Sequence, residues 1–176
     1  MLKKLVVASA LFAVCANVAV ANAPYIGFAA GSRVNTSEYR NFRGVPANVF
    51  VGYGATIGEG VYLAGEVFSN LATANVNDNG LKSTFGYGIS FIPGLMLSDH
   101  TMGFARLGVL RTKFEPAGLS TSTVSGGQLG VGIQTSLMQN WDLRGEYDFM
   151  AYSHISQISG NPRTDEFHLG MVYKFD

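Results

Sequence analysis

The stretch Trp141-Asp142-Leu143-Arg144-Gly145-Glu146-Tyr147-Asp148-Phe149 decides the fold. Asp142, Arg144, Glu146 and Asp148 stand on alternate positions, with Trp141, Leu143, Tyr147 and Phe149 between them. A period of two belongs to a β-strand, whose successive side chains point to opposite faces. One face of this strand is charged and the other is oily. The oily face suits hydrocarbon, whereas four charges in a line do not, so the charged face has to point into a protected interior.

The neighbouring segments follow the same rule. Before it, Gly126 to Leu137 sets Leu129, Val131, Ile133 and Leu137 against Gln128, Gly130, Gly132, Gln134 and Ser136. After it, Asp165 to Phe175 sets Phe167, Leu169, Met171, Tyr173 and Phe175 against Glu166, His168, Gly170, Val172 and Lys174. Similar alternation runs through Tyr25 to Val34, Val45 to Ile57, Val61 to Asn70, Lys82 to Ile92 and Met102 to Lys113. This makes eight segments of about ten residues, the length that crosses a bilayer as a tilted strand.

Composition agrees. Hydrophobic residues make up 47% of the chain and charged residues only 14%, an oily balance for a soluble domain. After the amino-terminal segment no apolar run approaches the length of a membrane helix. Only helices and closed sheets satisfy every backbone hydrogen bond in lipid, so the chain is expected to be an all-β, eight-stranded antiparallel transmembrane β-barrel.

The amino terminus supports export. Lys3 and Lys4 precede an uncharged apolar run from Leu5 to Val20, closed by small residues at Ala19, Ala21 and Ala23. This is the layout of a signal peptide, expected over residues 1–21 with the barrel over 22–176; cleavage after Ala23 is the alternative. Cys15 is the only cysteine and falls inside that segment, so the exported part has no disulfide. Without Lys3 and Lys4 the exported part carries ten basic residues against twelve acidic ones. That balance gives no reason to expect a nucleic-acid partner.

Short connections follow the second, fourth and sixth segments: Gly58-Glu59-Gly60, Pro93 to Asp99, and the few residues before Trp141. Longer polar ones are expected at Asn35 to Gly44, Leu71 to Leu81, Phe114 to Ser125 and Ser153 to Thr164. Short turns belong on the periplasmic side and long loops outside, which leaves both termini in the periplasm. Phe91, Trp141, Tyr173 and Phe175 fall near periplasmic strand ends, where an aromatic girdle is expected.

On Gly127 to Gly132, Trp141 to Tyr147 and His168 to Phe175, the chain resembles the small outer-membrane β-barrel family that includes opacity-type surface antigens and the transmembrane domain of OmpA-like proteins. The resemblance implies an outer-membrane protein whose partners are outer-membrane lipid and lipopolysaccharide. It also implies that His168, Gly170, Tyr173 and Phe175 form the terminal signal read by the barrel-assembly machinery.

Several sites follow as expectations. Glu66, Arg106, Arg144, Glu146 and Asp148 point inward and include both signs, so they should pair as an ionic network filling the lumen. In the first loop Tyr39, Arg40, Phe42 and Arg43 mix aromatic and arginine side chains, a combination suited to binding a host or surface ligand. His154 and Ser156, with Glu166 at the start of the next strand, have an order and a His-x-Ser spacing similar to the outer-membrane lipid A 3-O-deacylases, with a shorter spacing to the acid. In that reading serine is the nucleophile, histidine its base and the carboxylate the orienting group. The three histidines are scattered and no cysteine accompanies them, which gives no metal or cofactor site. The leading expectation is a non-enzymatic surface protein serving envelope structure and adhesion, with a lipid A deacylase or a narrow channel as alternatives.

Overall fold

The computed structural model describes residues 23–37, 40–58, 60–77, 81–116, 122–153 and 161–175. The proposed signal segment therefore lies outside the described residues. Eight strands follow one another: β1 (Ala23–Ser37), β2 (Arg40–Ile57), β3 (Val61–Asn77), β4 (Leu81–Ser98), β5 (Thr101–Pro116), β6 (Ser122–Met138), β7 (Trp141–Tyr152) and β8 (Arg163–Lys174). Each pairs antiparallel with its sequence neighbours, and β1 pairs with β8 from Tyr25↔Lys174 to Thr36↔Arg163, closing the barrel. Every strand thus has a paired neighbour on both sides, which is the condition for a sheet in lipid.

The alternation seen in the sequence sets the two faces. Phe28, Val67, Ile89, Val109, Leu129, Val131, Phe167 and Leu169 are exposed on the outer wall. Inward residues on β5 run Met102, Phe104, Arg106, Leu110, Thr112 and Phe114, all buried. The lumen thus carries apolar plug residues toward both ends, with most of its charged residues between them. Aromatic rings of the plugs lie over glycines of adjacent strands. At Gly132, for example, an added Cβ would stand 2.8 Å from Cε1 of Phe104.

One rim is built from tight turns. Asp99 and His100 join β4 to β5, Gln139 and Asn140 join β6 to β7, and the β2–β3 turn uses Gly58 and Gly60 at positive φ, where glycine carries no Cβ penalty. The expected turn Pro93 to Asp99 is corrected here: Leu95↔Gly103 and Met96↔Met102 remain paired, so only the last residue of that range belongs to the turn.

The expected long loops are corrected more substantially. Thr36↔Asn41 and Ser37↔Arg40 are ladder partners, so most of Asn35 to Gly44 is strand. Likewise β3 runs to Asn77 before β4 starts at Leu81, and Phe114 pairs with Ser122 inside the third expected loop. The expected loop Ser153 to Thr164 is shortened least, with Arg163 and Thr164 already in β8, and residues 154–160 within it lie outside the described residues. The physical reason is that cross-strand hydrogen bonds persist where the outer face meets water, although the apolar alternation that marks a strand in the sequence stops at the membrane boundary.

Candidate functional site

The lumen layer is a connected column of polar groups. Nearest the tight-turn rim, Lys174 Nζ lies 3.0 Å from Asp142 Oδ1. Gln134 Nε2 donates to Asp142 Oδ2 at 2.6 Å, and Arg144 Nε donates to Gln134 Oε1 at 2.8 Å. Arg144 Nη1 reaches Glu66 Oε2 at 2.7 Å, and Arg106 Nη1 takes the other Glu66 oxygen at 2.6 Å. Arg106 also grips Glu146 with two donors, Nε to Oε1 and Nη2 to Oε2, the second at 3.0 Å. Bidentate guanidinium–carboxylate contacts of this kind are among the strongest polar interactions in proteins.

The rings of the lower plug complete the environment of Arg144, whose guanidinium carbon stands 4.8 Å from the Phe50 centroid and 5.2 Å from that of Phe104. Tyr25 donates its hydroxyl to Glu66 Oε2 at 3.0 Å. Glu66, Arg106, Arg144, Glu146 and Asp148 are all at least 96% buried and are brought into one cluster.

The expected ionic set lacked Arg33, Asn48, Glu166 and His168, which belong to the same network. Arg33 lies opposite Glu166 in the β1–β8 ladder and donates to its Oε2 through Nε at 2.8 Å and also through Nη2. His168 lies opposite Glu146 in the β7–β8 ladder, with Nδ1 3.2 Å from Glu166 Oε1 and Nε2 3.2 Å from Asp148 Oδ2. Asn48 Nδ2 donates to Glu166 Oε1 at 2.7 Å. Inward position was legible for each, but partnership depends on strand register, which the alternation alone does not fix.

Glu166 is therefore held in the lumen by Arg33 and Asn48. His154 and Ser156, the other two members of the hydrolase constellation, lie outside the described residues. Of the expected assembly signal, His168 and Gly170 are buried on the inner face. Tyr173 and Phe175 pack edge to face with centroids 5.0 Å apart, and Trp141 meets Tyr173 at 5.1 Å. These rings, with exposed Phe91, lie toward the tight-turn rim as a girdle would.

At the opposite rim Arg43 is exposed and paired with Val34, while Arg40 and Phe42 are β2 residues paired with Ser37 and Asn35. Tyr39 lies outside the described residues. Arg111, Lys113 and Arg163 are also exposed toward this rim, opposite Tyr87, Phe85 and Ala151 respectively. Asp165, half-exposed on the same side, accepts a hydrogen bond from the Tyr147 hydroxyl at 2.6 Å.

Comparison with known proteins agrees with the architecture. A family model described as the outer membrane protein beta-barrel domain matches residues 6–175. The fold superposes on Neisserial surface protein A with a TM-score of 0.63 at 19% identity, covering 86% of this chain and 97% of that one. It superposes on Ail, the attachment invasion locus protein of Yersinia pestis, with a TM-score of 0.60 at 15% identity, covering 88% and 97%. A structure of Ail in complex with the heparin analogue sucrose octasulfate gives 0.58 at 14% identity over 88% and 97%. No curated protein sequence matches.

Proposed function

The chain belongs to the outer membrane protein β-barrel domain family, and from that premise we propose that it is a non-catalytic surface protein whose extracellular hairpins recognise anionic ligands on other surfaces. The observation that carries this reading is the basic rim. Strands β1 to β6 are 15 to 18 residues long, whereas about 9–11 residues cross the hydrocarbon. The surplus extends the hairpins beyond the bilayer as paired strands that hold Arg43, Arg111 and Lys113 in fixed register. Preorganised cations lose less freedom on binding than cations on loose loops. The same fold in Ail has been solved with a sulfated ligand, which supports an anionic partner.

The lumen favours anchoring over conduction. The cavity left between Asn48, Asp148 and His168 measures about 20 Å³, room for about one water molecule. In this reading the barrel is held by outer-membrane lipid and lipopolysaccharide, and His168, Gly170, Tyr173 and Phe175 serve the barrel-assembly machinery during insertion.

Cells expressing the wild-type protein should bind heparin-coated surfaces, and Arg43→Glu combined with Arg111→Glu should reduce that binding at least several-fold at equal surface level. Unchanged binding would sink the rim as the recognition surface. The hydrolase reading is separated by mass spectrometry of lipid A. Wild-type, Ser156→Ala and empty-vector cells should give the same acylation profile, and an acyl chain missing only with the wild type would make the protein an enzyme.

A further inference from the structure

We propose that Glu146, Asp148 and His168 form a buried binding site for one divalent transition-metal ion of the Zn²⁺ class in the middle of the lumen. Glu146 and Asp148 project inward two residues apart on β7, and the ladder sets His168 of β8 directly opposite Glu146. Nε2 of His168 stands 3.4 Å from Glu146 Oε2 and 3.2 Å from Asp148 Oδ2. One ligand atom from each of the three residues lies within 4.8 Å of the other two. Two ligands about 2.0 Å from a tetrahedral ion stand about 3.3 Å apart, so both histidine–carboxylate edges have the length such an ion requires.

The far side of the imidazole is also prepared. Nδ1 faces Glu166 Oε1 at 3.2 Å, and Glu166 is fixed by Arg33 and by Asn48 Nδ2. A metal-bound histidine characteristically donates its second N–H to a carboxylate, which keeps the ligating nitrogen unprotonated and aimed. Arg106 gives Glu146 the corresponding outer support.

A second observation comes from atoms that the fold leaves without hydrogen bonds. Asn48 Oδ1, Gln128 Oε1, both Asp148 carboxylate oxygens and the donor Asn70 Nδ2 are buried with no hydrogen bond. Their residues line a single cavity of about 20 Å³, together with His168. Burying acceptors without donors is unfavourable. A protonated His168 would direct its two N–H groups at carboxylates and leave the amide oxygens of Asn48 and Gln128 unserved. A metal ion takes an oxygen from each acid, and a water as its fourth ligand in the cavity supplies two further donors.

Charge leaves room for a cation. Among the described residues, the layer sets Glu66, Glu146, Asp148 and Glu166 against Arg33, Arg106 and Arg144, with Asp142 already paired to Lys174. One negative charge is left over, which either a protonated His168 or a bound cation offsets, and Asp148 has the most distant guanidinium, Arg106 Nε at 3.8 Å. An ion there would be structural, tying β7 to β8 and entering as the barrel folds.

The test uses tag-free mature protein refolded into detergent with Zn²⁺, washed with chelator and analysed for metal by mass spectrometry. Folding of each sample is scored by its heat-dependent mobility on gels. Folded wild type and His100→Gln, which alters a histidine in an exposed turn, should each retain about one ion per barrel. Asp148→Asn and His168→Gln should retain at least tenfold less. If neither variant folds, Co²⁺ bound to the wild type should show the intense visible bands of a tetrahedral site, and their absence overturns the proposal. Folded wild type with less than about a tenth of an equivalent of zinc, or full retention by both variants, overturns it as well.

Discussion

Arg106→Met should destabilise the folded barrel by about 3–5 kcal/mol, the cost of leaving buried charges without their partner. Arg106 is 4% exposed and its guanidinium serves Glu66, Glu146 and, more distantly, Asp148. Methionine fills similar space beside Phe68, whose ring centroid lies 5.7 Å from the guanidinium carbon, so the loss is one of charge and not of volume. Glu66 keeps Arg144 at 2.7 Å, which leaves Glu146 as the main orphan. Adding Glu146→Gln to Arg106→Met should therefore recover part of the loss. Denaturant unfolding of the refolded barrel measures both variants. A cost below about 1 kcal/mol for the single substitution would mean that water reaches the layer and solvates it.

Val131→Arg should cost about 2–4 kcal/mol, the range for a cation on the lipid face near the bilayer midplane. Val131 is 61% exposed at the middle of β6, between Ala105 of β5 and Tyr147 of β7. The control is Ser125→Arg on the same face of the same strand, opposite Arg111. Near the interface the penalty falls to about 0–1 kcal/mol. Equal costs at the two positions, measured by the same unfolding experiment, would mean that the membrane boundary has been drawn in the wrong place.

Within the bilayer the sequence was close to sufficient, and outside it was not. Leu129, Val131 and Ile133 reveal their face because hydrocarbon lies on one side and packed side chains on the other, so alternation in polarity copies alternation in space. Asn35, Thr36, Asn41 and Arg43 belong to strand ladders too, but no oily solvent imposes a pattern there and the residues read as loop. A strand length estimated from polarity is a membrane thickness, not the extent of pairing.

The lumen was legible in a different proportion. Charge on alternate positions of β7 was enough to place Asp142, Arg144, Glu146 and Asp148 inside. Which acid meets which base depended on pairings between residues far apart in sequence, such as Arg33↔Glu166 on β1 and β8. The same dependence hid the grouping of His168 with Glu146 and Asp148, since no local spacing in the chain announces it. Glu166 shows the risk of reading proximity along the chain as chemistry. It follows closely on His154 and Ser156 in the sequence, yet its carboxylate is committed to Arg33 and Asn48 across the lumen.

The seam between β1 and β8, sealed at its lower end by the hydrogen bond from Phe175 N to Pro24 O at 2.9 Å, sets the order of events in time. Seven of the eight ladders can form from hairpins as soon as neighbouring segments are available, at the modest entropic cost of closing short loops. The eighth joins the first strand to the last and waits for the whole chain, which makes ring closure the slowest contact by topology. Until then β1 and β8 both present unpaired edges, a state prone to aggregation in water. Such a protein benefits from being delivered unfolded and released to pair only at its destination. The strand that completes the seam is also the one that commits the barrel to its final form.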